Sequence, residues 1–153
     1  MSFSPPDLNL ASFPFKLKRE GEALFIFDEL RKKFLVLTPE EWVRQHVVRF
    51  LITEKKFPRP LIKLEGGLKP NTLQKRTDIV VFDRSGRSLA IVECKAPHVR
   101  ITQEVFDQIA RYNMVHQAPW LMVSNGLDHY CCRIDFATNS YAFVPEIPDY
   151  GDL

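Results

Sequence analysis

"TDIVVFDRSGRSLAIVECKA", residues 77–96, decides the architecture. Two strongly apolar runs flank the polar "RSGR", which is the pattern of a β-hairpin. Side chains alternate along a strand, so Glu93 and Lys95 share one face while Cys94 takes the other. Counting outward from a turn centred between Ser85 and Gly86 sets Asp78 opposite Glu93. Like charges held face to face across a sheet destabilise it unless something compensates, and a divalent cation is the natural compensator. Mg²⁺ takes one or two carboxylates and completes its shell with water and substrate phosphate. Lys95, beside the acids, is placed to orient a water and help deprotonate it for attack on phosphorus. The same residues also read as a surface ion pair on a strand edge, and Glu-x-Lys alone does not choose between the two. The remaining strand positions are apolar, which makes these charges stand out as placed.

On the C-terminal side, "TQEVFDQIARYNMVHQ" (102–117) carries Val105, Ile109 and Tyr112 at helical spacing with Thr102 as its cap. Gln108 and Tyr112 are four apart and share a helix face, from which an amide and a phenol can reach a phosphate, a base edge or Lys95. A core Tyr112 beside a solvated Gln108 is the plainer alternative. "WLMVSNG" and "HYCCRIDF" are apolar strands about an Asn-Gly turn, and "SYAFV" is a last short strand.

On the N-terminal side, residues 1–14 carry three prolines and read as an irregular arm. Residues 23–37 read as two short strands joined by a polar connection of Asp28, Arg31, Lys32 and Lys33. A helix then starts at Thr38, with Pro39 at its first position and Glu41 completing a capping box. Residues 61–66 suggest a strand, and "LKPNTLQKR" (68–76) an exposed basic loop that, with Arg84 and Arg87, could contact phosphates or simply be solvated. Strand pair, helix, strand, hairpin, helix, strand pair describes an α/β domain with a mixed sheet between helices.

At 153 residues the chain is long enough for one domain with its own core, and its 12 phenylalanines should dominate the packing. A formal charge of +2 neither marks nor excludes a nucleic-acid binder. The N-terminus lacks the pattern of a signal peptide, and no apolar run is long enough to span a membrane. Cys94, Cys131 and Cys132 show no metal-ligand spacing and are expected to be reduced packing residues of a cytoplasmic protein. His46, His98, His116 and His129 share no ligand spacing; His98, three residues past Lys95, is the nearest to the acids.

"RTDIVVFDRSGRSLAIVECKAP", then "QIARY", then "MVSNGLDHY", together resemble the PD-(D/E)xK nuclease superfamily over residues 38–136, and most closely the N-terminal nuclease domain of type I restriction enzyme R subunits. Asp78 matches the metal-binding aspartate, with Thr77 in place of the usual proline; Glu93 and Lys95 match Glu-x-Lys; Gln108 and Tyr112 match Gln-x-x-x-Tyr. The resemblance implies a restriction-endonuclease-like mixed β-sheet flanked by α-helices, cleavage of DNA, and Mg²⁺, with Mn²⁺ as a substitute. It also implies a helical glutamate as a further metal ligand. Glu40 and Glu41 compete for that match, and Glu40 is preferred because Glu41 is the capping-box partner.

R subunits of this kind continue into a translocating ATPase, and no Gly-x-x-x-x-Gly-Lys-Ser/Thr segment occurs here. The expectation is therefore a DNA nuclease domain over 38–153 behind an arm and short strands over 1–37. It would act as a homodimer or with a separate motor or specificity subunit. A non-catalytic nucleic-acid- or protein-binding module that kept the fold is the alternative.

Overall fold

The hairpin forms as its alternation requires. In the computed structural model, which describes residues 4–64 and 78–153, its strands are paired antiparallel, with Ile79 opposite Val92 and Val81 opposite Ala90. Asp78 and Glu93 are the next positions out from the Ile79–Val92 pair. The turn is not symmetric, however: Phe82 pairs with Ser88, and a bulge between Val81 and Phe82 restores the inner register. Asp83 builds the turn, its Oδ1 accepting from the backbone N–H groups of Ser85 and Arg87 and from the Ser85 hydroxyl.

The elements in chain order are β1 (Leu17–Glu20), β2 (Ala23–Asp28), β3 (Lys33–Val36), α1 (Pro39–Thr53), β4 (Ile62–Leu64), β5 (Ile79–Phe82), β6 (Ser88–Cys94), α2 (Gln103–His116), β7 (Trp120–Ser124), β8 (His129–Asp135) and β9 (Ser140–Val144). Among the described residues six strands make one mixed sheet in the order β4-β5-β6-β7-β8-β9, in which β6 and β7 run parallel and the other neighbours antiparallel, while β1-β2-β3 form a separate antiparallel sheet. The α/β class and the mixed sheet with helices on its faces are as the sequence predicts. The basic segment 68–76 and Thr77 lie outside the described residues.

Alternation divides the core. Ala90, Val92 and Cys94 of β6 join Val43, Val47 and Leu51 of α1 on one side of the large sheet. Ile91 joins Phe106 and Ile109 of α2 on the other. The three cysteines are buried and unbridged, and burial pushes the Cys131 and Cys132 thiols up to about 12 and about 11. All three are therefore protonated packing groups.

Thr38 caps α1, its Oγ1 accepting from the Glu41 N–H at 3.0 Å. The capping box is only half made, because the Glu41 carboxylate accepts instead from Arg44 and Gln45. The hydroxyl alone does the capping, so Thr38→Ala is expected to cost about 1 kcal/mol. Urea unfolding checks this, and an unchanged midpoint would contradict it.

A sharp Asn-Gly turn joins β7 to β8. Asn125 Oδ1 accepts from Leu127 and Asp128 N–H, and Gly126 adopts φ +87°. A Cβ on Gly126 would sit 2.8 Å from Leu8, since the N-terminal arm is pinned over this turn by the Asn9 N–H donating to the Gly126 carbonyl.

Candidate active site

Asp78, Glu93, Lys95 and Glu40 meet where the open end of the β5–β6 hairpin approaches the first turn of α1. Glu93 and Lys95 lie on the face of β6 that carries Ile91, the face covered by α2, and Lys95 Nζ is 3.8 Å from Glu93 Oε1. Cys94, between them, turns into the α1-side core, but its backbone N–H donates to Asp78 Oδ2 at 2.8 Å. The strand thus holds Asp78 through its main chain while presenting Glu93 and Lys95 through side chains. Continued parallel pairing fixes the end of β6, the Lys95 N–H donating to the Ser124 carbonyl.

Arg44 is the residue whose importance sequence reasoning missed. Its guanidinium donates to Asp78 Oδ1 at 2.6 Å, to Glu41 Oε1 at 2.6 Å and to Glu40 Oε1 at 3.4 Å. Burial opposes its charge, but Asp78 and Glu41 prevail and hold its pKa above the ordinary value. The network continues inward: Gln45 Nε2 donates to Glu41 Oε2 and to Asp28 Oδ2, and Arg31 Nε donates to Asp28 Oδ2 at 2.8 Å. Asp28 does serve the polar connection, its Oδ1 accepting from the Leu30 and Arg31 N–H groups, and it is also fully buried at the end of β2. Burial would raise its pKa, yet the hydrogen bonds and charge of Arg31, with Gln45, hold it below the ordinary value. The i, i+3 and i, i+4 spacings of Glu40, Glu41, Arg44 and Gln45 were the available signal.

These contacts separate the two candidate glutamates. Glu41 is buried and committed to Arg44 and Gln45. Glu40 is about half exposed, and burial followed by the negative charge of Asp78 raises its carboxyl above the ordinary value against the pull of Arg44 and Lys95. An acid whose folded pKa exceeds its unfolded one contributes stability at low pH and loses it as pH rises through the folded value. In metal-free buffer, Glu40→Gln is therefore expected to raise the melting temperature at about pH 7 and to change it little at about pH 4. Calorimetry at both pH values checks the sign; a lower melting point at neutral pH would reverse it.

Gln108 and Tyr112 lie on α2 away from its buried residues Phe106, Ile109 and Asn113; Gln108 is exposed and Tyr112 partly so. Their helix covers the sheet face from which Lys95 projects. Arg84 and Arg87 sit at the hairpin turn, the far end from the acids. His98 is exposed, and His129 is engaged by Ser124 Oγ at 2.7 Å.

The donor set is all oxygen, the nearby thiol is buried and protonated, and three carboxylates share the corner with two cations. That chemistry suits a hard divalent ion. Among the described residues no three acidic, His or Cys groups form a cluster that could hold a metal ion. A cavity of about 350 Å³, lined by Phe50, Lys55, His129, Cys131 and Val144–Ile147, involves none of these residues.

A family model for the N terminus of type I restriction enzyme R proteins (HSDR_N) matches residues 39–148. No curated protein matches the chain. Among solved structures, one described as a fragment of an HsdR subunit of a type I restriction enzyme from Vibrio vulnificus YJ016 is similar, at 18% identity and a TM-score of 0.48, over 73% of this chain. The present chain spans 24% of that one's length. With the matched segment running through α1, the hairpin, α2 and all six strands of the large sheet, the chain belongs to the type I restriction enzyme R protein N-terminal (HSDR_N) family.

Proposed function

We propose that the domain is a metal-dependent nuclease that hydrolyses DNA phosphodiester bonds. The observation that carries this reading is the hairpin end, where Asp78 and Glu93 follow directly on the Ile79–Val92 pair and Lys95 Nζ lies 3.8 Å from Glu93 Oε1. Asp78, Glu93 and Glu40 would hold Mg²⁺, or Mn²⁺ in its place. The bound ion supplies positive charge beside the phosphate oxygens. Lys95 orients the attacking water. Gln108 and Tyr112 support Lys95 or the DNA from α2. In the reaction a water oxygen bonds to phosphorus, one phosphorus–oxygen ester bond breaks, and the leaving oxygen ends as a hydroxyl. DNA and other subunits of a restriction system are the partners this reading implies, with residues 38–153 as the nuclease unit.

One observation favours the second reading, a binding module that kept the fold: Arg44 already neutralises Asp78 Oδ1. Titration calorimetry of Mg²⁺ and Mn²⁺ into the protein, followed by incubation with supercoiled plasmid, separates the two. Metal binding with metal-dependent nicking supports the nuclease; neither, in the folded protein, supports the module.

A further inference from the structure

The outer face of the small β1–β3 sheet has a composition that sheet packing does not explain. Register sets Lys18 opposite Phe25, Phe25 opposite Val36 and Phe27 opposite Phe34, and the Phe27 N–H donates to the Lys16 carbonyl. Opposed residues share a face, so Lys16, Lys18, Phe25, Phe27, Phe34 and Val36 lie together. Ile26 and Asp28 take the opposite face and are fully buried, Asp28 being tied to α1 through Gln45. An antiparallel sheet covered on one side ordinarily presents polar residues on the other. Here the outward side carries three half-buried phenylalanines and a valine that is 56% exposed.

None of the three rings belongs to either core cluster of the described residues. What lies over them is positive charge. Lys18 Nζ is 4.3 Å from the Phe34 ring centre and 5.8 Å from that of Phe25. Lys16 Nζ is 5.6 Å from Phe27 and 5.8 Å from Phe34. We infer that this face is a platform for an unpaired DNA strand, with bases stacking on the phenylalanines and the two ammonium groups meeting phosphates. The inference rests on the nuclease reading for the identity of its ligand.

Three features favour that occupant. Aromatic rings interleaved with cations are the pairing that single-strand binding uses, since every base has a face to stack while its phosphates need positive charge. A protein partner fits less well, because lysine is depleted from the centres of protein interfaces. Val36, on this face, ends β3 four residues before Glu40 in the sequence. A paired duplex keeps its bases stacked on one another, so the rings select an unpaired strand. Glu20 Oε1 lies 3.1 Å from Lys18 Nζ, and a phosphate would displace it.

The test is fluorescence anisotropy with a labelled oligothymidylate and the matching duplex, using the whole chain in EDTA so that no cleavage intervenes. The double variant Lys16→Ala/Lys18→Ala should bind the single strand about tenfold more weakly. Its slope of log affinity against log salt should fall by about 1.4, from roughly 0.7 per lost phosphate contact. Phe34→Leu should weaken binding by about tenfold with the slope unchanged, as loss of one stacked base requires. Melting curves establish that each variant folds, and the lysine variant carries the test alone if Phe34→Leu does not. No binding by the wild type, unchanged affinity in the lysine variant, or an equal loss on duplex overturns the inference. Plasmid cleavage that proceeds while these variants bind normally defeats the platform alone. A lysine-dependent, single-strand-selective loss in a protein that never cleaves defeats the nuclease reading alone.

Discussion

Glu93→Ala is expected to lower metal-dependent nicking of supercoiled plasmid by about 10³-fold, as removal of several kcal/mol of charge stabilisation at the phosphate requires. The fold should survive. Glu93 ends a strand whose alignment is set by main-chain pairing with β5 and β7, not by its own side chain. Removing one of two neighbouring acids also relieves repulsion with Asp78. The paired measurements are nicking rate and thermal melting, with calorimetric Mg²⁺ titration as a third. Activity, metal binding and an intact melt should separate cleanly, the first two lost and the third kept. Retained nicking in the variant would reject Glu93 as a ligand, and a collapsed melt would mean that the residue is structural.

Arg44→Ala should have the largest effect on stability, about 3–5 kcal/mol in urea unfolding. The side chain is 11% exposed and contacts Asp78 and Glu41, themselves 8% and 10% exposed. Removing it strands two buried carboxylates and weakens the hold on Glu41 that Gln45 shares. For a chain of this length the loss corresponds to a fall in melting temperature of roughly 10 °C. Arg44→Lys should recover part of it, since an ammonium is a point charge without the fork that spans Asp78 and Glu41 together. A loss below about 1 kcal/mol for the alanine variant would place the network among solvent-screened pairs, whose contribution is small. The comparison also bears on the proposed metal site, because a cation held there would compete with Arg44 for the Asp78 carboxylate.

Much of this was legible in the chain itself, for a common reason: the interactions that decide it are local. The β5–β6 hairpin needs only alternation and the Asp83 turn, and parity then puts Glu93 and Lys95 together with Cys94 opposed. Thr38 and Thr102 cap their helices through neighbours three residues on. Even here locality has a limit. The turn alone pairs Phe82 with Ser88, and the bulge that restores the inner register is a property of the assembled sheet.

Only the tertiary structure decided the rest. β1 is exposed throughout and rich in charge, so no periodicity announces it, and its strand exists by pairing with β2. That Arg44 holds Glu41 and reaches Asp78 across 34 residues of sequence is likewise a property of the assembled fold. Asp28 holds its own turn through Leu30 and Arg31, but its burial against Gln45, 17 residues away, is set by the tertiary structure. Periodicity and capping report what a segment does with its own neighbours. The strength of a buried charge depends on which distant groups share its low-dielectric surroundings, and that is set only when the sheet, α1 and the small sheet close around it.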